Sequence, residues 1–567
     1  MLEAVYLLVS IFTLLVAIIG HILLLLKIQI TVNNFLFGFY IILFVGLLIL
    51  YITAENKNYF LSARLEIDKL SIICSAIIFF IIAVIFSYKL YPDFIPLKLF
   101  NELVDGGTHL NFVNRIFPWS LSLPGNFGVH FNVALFSKLI NNTPFIKTIY
   151  PIMVIFTALY AVGVYSLIIR LKISGHLGAI AGGMLVSLSS YSISQLNGLG
   201  FYPQIFGTFL FIAYLIFLAG YLETFSNRSL FFLILISLGI CVSYARWFPS
   251  LIISLIWASI ITRHKLPRKK MLSFIFVIFI QLAIFIYLAV MFLTPKKIIA
   301  ILKVDAGVLV TKFPIYGKLM DINIFGEALI IKFVFILFII GIIMSLLKRK
   351  NKILLAVFFS IFIQTIFFYI GINKFSFGTY CYYKSFYLLY IPYIIIAIYG
   401  AQILIDFFNK KIIKKFNTKV AMPIKLVIFL PLLCFSLISG IIYSRYFKPA
   451  ISSSDYDVAL FVRKYLYNYY DYRNLSYIGS GLFNNFFLRA FLQEKIHPFP
   501  GSSKKVLPTN ERIVRWLRYG KEEFLYVPKE FSSFIRPHLS KFKIFYEKEG
   551  TYLLARPVRF WQDERID

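Results

Sequence analysis

Apolar residues in this chain run on in long unbroken blocks, without the rhythm of a surface helix or the alternation of a half-buried strand. Blocks of about 18 to 24 residues recur along the chain, matching the roughly 20 residues an α-helix needs to cross about 30 Å of hydrocarbon. They predict about thirteen membrane spans, at 4–26, 35–52, 69–87, 148–169, 176–194, 204–221, 229–244, 247–262, 271–293, 328–347, 353–371, 385–406 and 424–443. Continuous blocks imply helices rather than a barrel, whose strands would alternate. The first block follows Met1–Tyr6 with no basic n-region and no small-residue cleavage site, so it is expected to be a retained span.

Two polar stretches break the pattern. One covers 88–146, and the other is the tail, 445–567, where the composition turns mixed and charged. The chain is therefore expected to divide into a transmembrane domain, 1–444, and a soluble extracytoplasmic α/β domain, 445–567. In the tail, apolar residues at helical spacing from Asp455 to Tyr470 follow the capping run Ser452-Ser453-Ser454. Strand-like runs begin at Leu475, Phe524 and Lys543, and Thr551 after Glu549-Gly550 reads as the second arm of a hairpin.

Composition agrees with the membrane reading: of 567 residues, 60% are hydrophobic and 14% charged, with a mean hydropathy of +0.82. A net charge of +32 would suit a nucleic-acid partner, but the basic residues gather in short loops between spans. With a cytoplasmic N-terminus, Lys57 and Arg64, Arg170 and Lys172, Arg263 to Lys270, Lys348 to Lys352, and Lys410 to Lys415 all fall inside, as the positive-inside tendency requires. No nucleic-acid partner is expected. The same count puts 88–146, 295–327, 372–384 and the tail outside. Cys74, Cys241, Cys381 and Cys434 lie in or beside apolar blocks without metal-ligand spacing and read as core residues. A Cys241–Cys381 disulfide stays open.

The chemistry concentrates in the first outer stretch, which runs Tyr91-Pro92-Asp93, Glu102, Asp105-Gly106-Gly107-Thr108-His109, then Leu123-Pro124-Gly125 to His130. On a helix Asp105 and His109 stand at i and i+4 and project from one face. Such a pair suits an acceptor hydroxyl or a divalent cation such as Mg or Mn, with the carboxylate as general base. Equally, Asp105 can simply cap the helix carrying His109. Arg246, in Tyr244-Ala245-Arg246-Trp247, is either a bidentate anion ligand or an interface anchor beside a belt tryptophan. Lys384 opens a span from the outer side, as a snorkelling lysine or as a phosphate ligand, within a tyrosine-rich run that includes Tyr382. Asp321 and Glu327, in 295–327, lack spacing logic and read as part of a solvated loop. No Walker A, GxSxG, HExxH or CxxC pattern occurs, and the apolar blocks hold few charges, which disfavours an ATP-driven pump and an ion-coupled transporter.

The outer-loop Asp105 with His109, then Pro124-Gly125 and His130 before a span ending at Arg170, together with the Tyr382-Tyr383-Lys384 entry to a late span and a soluble tail, resembles the GT-C superfamily of polytopic glycosyltransferases, especially its prokaryotic and archaeal members. The resemblance implies a GT-C-like fold and an inverting enzyme that takes a sugar from a polyprenyl- or dolichyl-phosphate carrier to a glycan, lipid or protein acceptor on the outer membrane face. It makes Asp105 the candidate base and His109 its partner. Arg246 and Lys384 become lipid-phosphate ligands, with Asp93, Glu102, His130 and Tyr382 as secondary candidates. A non-catalytic lipid-linked glycan flippase, or a membrane scaffold of the same fold, is the alternative.

Overall fold

The computed structural model describes residues 2–28, 31–38, 69–87, 97–98, 128–140, 145–189, 202–224, 227–244, 247–262, 329–348, 351–370, 378–413, 421–445, 448–449, 453–462, 475–477, 497–498 and 523–556, with isolated positions besides. The membrane part consists of helices α1 (Leu2–Leu25), α2 (Lys69–Ser87), α3 (Gly128–Leu139), α4 (Phe145–Arg170), α5 (His176–Leu188), α6 (Tyr202–Thr224), α7 (Asn227–Tyr244), α8 (Phe248–Thr262), α9 (Leu329–Leu347), α10 (Lys352–Ile370), α11 (Gly378–Ile413) and α12 (Ala421–Arg445). Among the described residues seven helices are long and apolar enough to cross a membrane, and shorter apolar stretches lie in α5, α7, α8 and α9. Most of the predicted spans at 271–293 and 35–52 lies outside the described residues.

Backbone groups in hydrocarbon must bond within their own segment, which is why these blocks are helical. Side-chain pattern then decides position in the bundle. α4 and α6 are mostly enclosed, whereas α2 and α12 are peripheral and turn Phe80 and Val427 outward, where a bilayer makes apolar exposure favourable. Cys241 is a buried free thiol, and Cys74 and Cys434 are also free.

Two predicted boundaries shift. Helix α11 has 36 residues and begins at Gly378, so Lys384 stands in its second turn rather than at its mouth. The polar stretch 88–146 ends in α3, a 12-residue helix with nine buried residues. Small residues make that burial possible: a Cβ on Gly128 would run into Ser243 Oγ of α7 and lie 3.3 Å from Ala17 Cβ of α1. Asn132 completes the docking, its amide nitrogen donating to Thr13 O of α1 and to Gly128 O, both at 2.9 Å.

The bundle has a basic end and a tail end. Arg170 at the close of α4 pairs with Glu223 at the close of α6 at 3.0 Å, so these helices run the same way. At their starting end the tail docks. Lys147 lies 4.6 Å from the ring centre of Tyr456, and β1 (Leu97–Lys98) pairs antiparallel with β2 (Lys448–Pro449).

Beyond β2 the chain forms α13 (Ser453–Phe461) and a five-stranded sheet of order β4-β3-β5-β7-β6, built from β3 (Leu475–Tyr477), β4 (His497–Pro498), β5 (Phe524–Val527), β6 (Lys543–Lys548) and β7 (Thr551–Ala555). β4, β3 and β5 are parallel, and β5, β7 and β6 antiparallel. The β6–β7 hairpin turns through Glu549 and Gly550, at φ 47° and 85°, the two left-handed positions of a type I′ turn, where glycine removes the steric cost. Asp455 ties α13 to the sheet by accepting from Lys529 N at 3.0 Å and Thr551 Oγ1 at 2.9 Å.

Candidate functional site

At the tail end of the bundle three pieces of chain converge: the starts of α6 and α11, and Trp247, the residue before α8. Lys384 is their common point. Its ammonium donates to Gln204 Oε1 at 2.8 Å and lies 5.4 Å from the ring centre of Tyr387, one helical turn on. Trp247 Nε1 donates to the Lys384 carbonyl at 3.2 Å, and its indole meets Tyr244 edge-on at 4.7 Å. Lys384 and Trp247 are each 1% exposed and Gln204 is fully buried.

Lys384 is thus withdrawn from the surface and does not snorkel. Trp247 is likewise a core residue here, not the belt residue its place in the sequence suggested. The reason is local. The first turn of α6 presents Gln204 inward, and Trp247, just before α8, lays its indole against α11. A carboxamide oxygen and an aromatic face orient an ammonium without themselves carrying charge. A cation so deep at a helix end is costly, and in membrane proteins marks a functional place.

His130 lies on the first turn of α3, 1% exposed, at the same end. Tyr382 is half-buried, 4.9 Å from Phe386 and 5.4 Å from Tyr369 between ring centres. Two residues before Lys384, it projects from the opposite face of α11, roughly 200° round the helix. The structure therefore brings Lys384 and the α3 start to one end of the bundle and separates Tyr382 from the lysine. Asp93, Glu102, Asp105, His109 and Arg246 lie outside the described residues. Among the described residues no group of three or more His, Cys, Asp or Glu could hold a metal ion, and the pair Asp105 and His109, expected from the sequence to suit a cation, is not among them.

Gln204 and Asn132 are the residues that sequence reasoning missed, and Trp247 is one it placed in an interfacial belt. Gln204 carried a usable signal as a lone carboxamide at the head of an apolar block.

No family model matches the chain, and no curated protein matches it in sequence. Solved structures do. The archaeal oligosaccharyltransferase AglB of Archaeoglobus fulgidus, in complex with an inhibitory peptide and a dolichol-phosphate, matches with TM-score 0.50 and 10% identity, over 86% of this chain and 74% of that one. The oligosaccharyltransferase of the same organism in the apo form gives 0.48 and 10% over 86% and 75%. With an acceptor peptide containing the NVT sequon tethered by a disulfide, it gives 0.47 and 9% over 86% and 74%. The first match is one of fold: the chain shares the polytopic helical architecture of that structure, with a five-stranded sheet in its C-terminal part.

Proposed function

We propose that this protein is a GT-C glycosyltransferase that takes a glycan from a polyprenyl- or dolichyl-phosphate carrier at the tail-bearing, outer face of the membrane and passes it to a glycan, lipid or protein acceptor. The observation that carries the reading is the buried ammonium of Lys384 at the tail end of a GT-C bundle. The neighbour of known structure holds a dolichol-phosphate and a peptide, which supports a lipid phosphate as the anion and a surface acceptor as its counterpart. In this reading Lys384 and Arg246 neutralise the departing lipid phosphate. Asp105, on the stretch that α3 anchors, removes the acceptor proton, with His109 as its partner or as an acceptor ligand. The 1–444 part binds the carrier, and the 445–567 part stands over the same face.

Two variants in lipid nanodiscs test this. Lys384→Ala is expected to weaken polyprenyl-phosphate binding about tenfold or more, the scale of a lost charge-assisted contact. Asp105→Asn is expected to bind carrier normally and to transfer nothing. Unchanged affinity in the first, or wild-type turnover in the second, overturns that assignment. Wild-type protein that binds the carrier and moves it between leaflets without transfer selects the flippase reading instead.

A further inference from the structure

The sheet of the tail has two unlike faces. One closes over a core that includes Leu525, Val527, Ile535 and Leu554. The other receives α13, through Ser454 and Asp455 on Thr551 and Asp457 on Lys548 at 2.6 Å. The edge strand β6 breaks its alternation on that second side. Ile544 stands opposite Leu554 and Tyr546 opposite Leu553, with a bulge between them, and a bulge re-aims a side chain. Phe545 is thereby turned to the α13 face alongside Tyr546. Its ring centre lies 5.3 Å from that of Phe524 and 6.1 Å from that of Phe461, on which Tyr546 stacks at 4.2 Å. This packing leaves an apolar ledge uncovered: Phe545 is 38% and Leu460 40% exposed, and Lys541 and Lys543 beside Phe545 in the chain are exposed as well.

We propose that this ledge rests in the phospholipid headgroup layer and gives the tail a second seat, on the bilayer itself, beside its contact with the bundle. Position selects a lipid surface. Lys147 opens the membrane span Lys147–Arg170, and its ammonium lies over the ring of Tyr456, so α13 begins at the height where a span leaves the bilayer. Leu460 follows Tyr456 by four residues and projects from the same side of the helix. The ledge therefore continues the established contact sideways, from α13 to β6, on the bundle side of the tail. Its chemistry fits that place, because aromatic rings and leucine settle at the boundary of headgroup and acyl chain while lysines reach the phosphates. An exposed edge strand with apolar residues would otherwise invite pairing with another chain. The bulge and the lysines of β6 oppose strand addition, yet neither hinders contact with lipid, which favours a bilayer over a second copy as the occupant.

The test uses the full-length protein in phosphatidylcholine nanodiscs, with the photoreactive residue p-benzoylphenylalanine at position 545. A second protein carries it at position 533, where Ser533 is exposed between Phe531 and Ile535, two residues of the core on the other face of the sheet. Adducts formed on irradiation are identified by mass spectrometry, and slow hydrogen exchange in β5 and β7 reports that the sheet is intact. Lipid adducts are expected at 545 and not at 533. Replacing part of the phosphatidylcholine by phosphatidylglycerol is expected to raise the yield at 545 about two- to fivefold, the scale of one lysine near an anionic surface, and Lys543→Glu should cancel the rise. The readout does not involve glycan transfer, so it stands or falls apart from the transferase reading. No lipid adduct at 545, equal lipid labelling at both positions, a yield indifferent to phosphatidylglycerol or to Lys543→Glu, or adducts at 545 joined chiefly to a second copy of the chain would overturn the proposal.

Discussion

Withdrawing an ammonium from water costs several kcal/mol even after the protein relaxes around it, and the neighbours of Lys384 offset part of that cost. Gln204 accepts a hydrogen bond from it and Tyr387 offers a ring face. The choice of a carboxamide rather than a carboxylate matters, because a carboxylate at 204 would hold the lysine in an ion pair. Gln204→Glu changes little in volume and should leave the bundle folded. It is expected to lower polyprenyl-phosphate affinity about tenfold, since the phosphate must then compete with a fixed charge. Titration of carrier phosphate into the variant checks this, and equal affinity would separate Lys384 from anion binding.

At the scale of elements, α3 decides whether the first polar stretch is tethered to the bundle. At 12 residues it is too short to span a bilayer, and it stays buried because Gly128 lets its start approach α1 and α7. Gly128→Leu is expected to push α3 off both neighbours, with an overpacking cost of about 1–3 kcal/mol. The thermal midpoint in detergent should fall and glycan transfer should drop further than carrier binding. A variant with unchanged midpoint and turnover would show that this close approach is dispensable. Helix α11 carries two separate surfaces, Lys384 on one face and Tyr382 packed on Phe386 and Tyr369 on the other, so damage to one need not reach the other.

For the whole molecule, among the described residues the tail meets the rest of the chain through the β1–β2 pair and the Lys147–Tyr456 contact, while holding its own sheet and a core that includes Leu525, Val527 and Leu554. A cation–π contact contributes about 0.5–1 kcal/mol at a partly exposed site. Lys147→Ala, which removes the cation and leaves the buried Tyr456 in place, should therefore loosen docking without melting the sheet. Hydrogen exchange should rise at 97–98 and 448–449 and stay slow in β5 and β7, and fast exchange throughout the tail would show that docking and folding are one event.

The sequence determined the membrane class, the helical architecture and the hairpin at Glu549-Gly550, because each follows from local physics: hydrocarbon demands self-bonded backbone, and a two-residue turn demands left-handed φ. It also brought Lys384 to notice, since charge is scarce among such blocks. Tertiary structure decided the rest. Whether Lys384 snorkels or turns inward depends on Gln204, 180 residues away in sequence, and whether Trp247 faces lipid or the core depends on the Lys384 carbonyl, 137 residues away, that accepts from its indole. The opposition of Tyr382 to Lys384 needed only that α11 begin at Gly378, a boundary that hydropathy blurs because tyrosine suits interface and core alike. The burial of α3 escaped notice for the same kind of reason: a short helix of mixed polarity becomes core only where other helices present small residues to receive it.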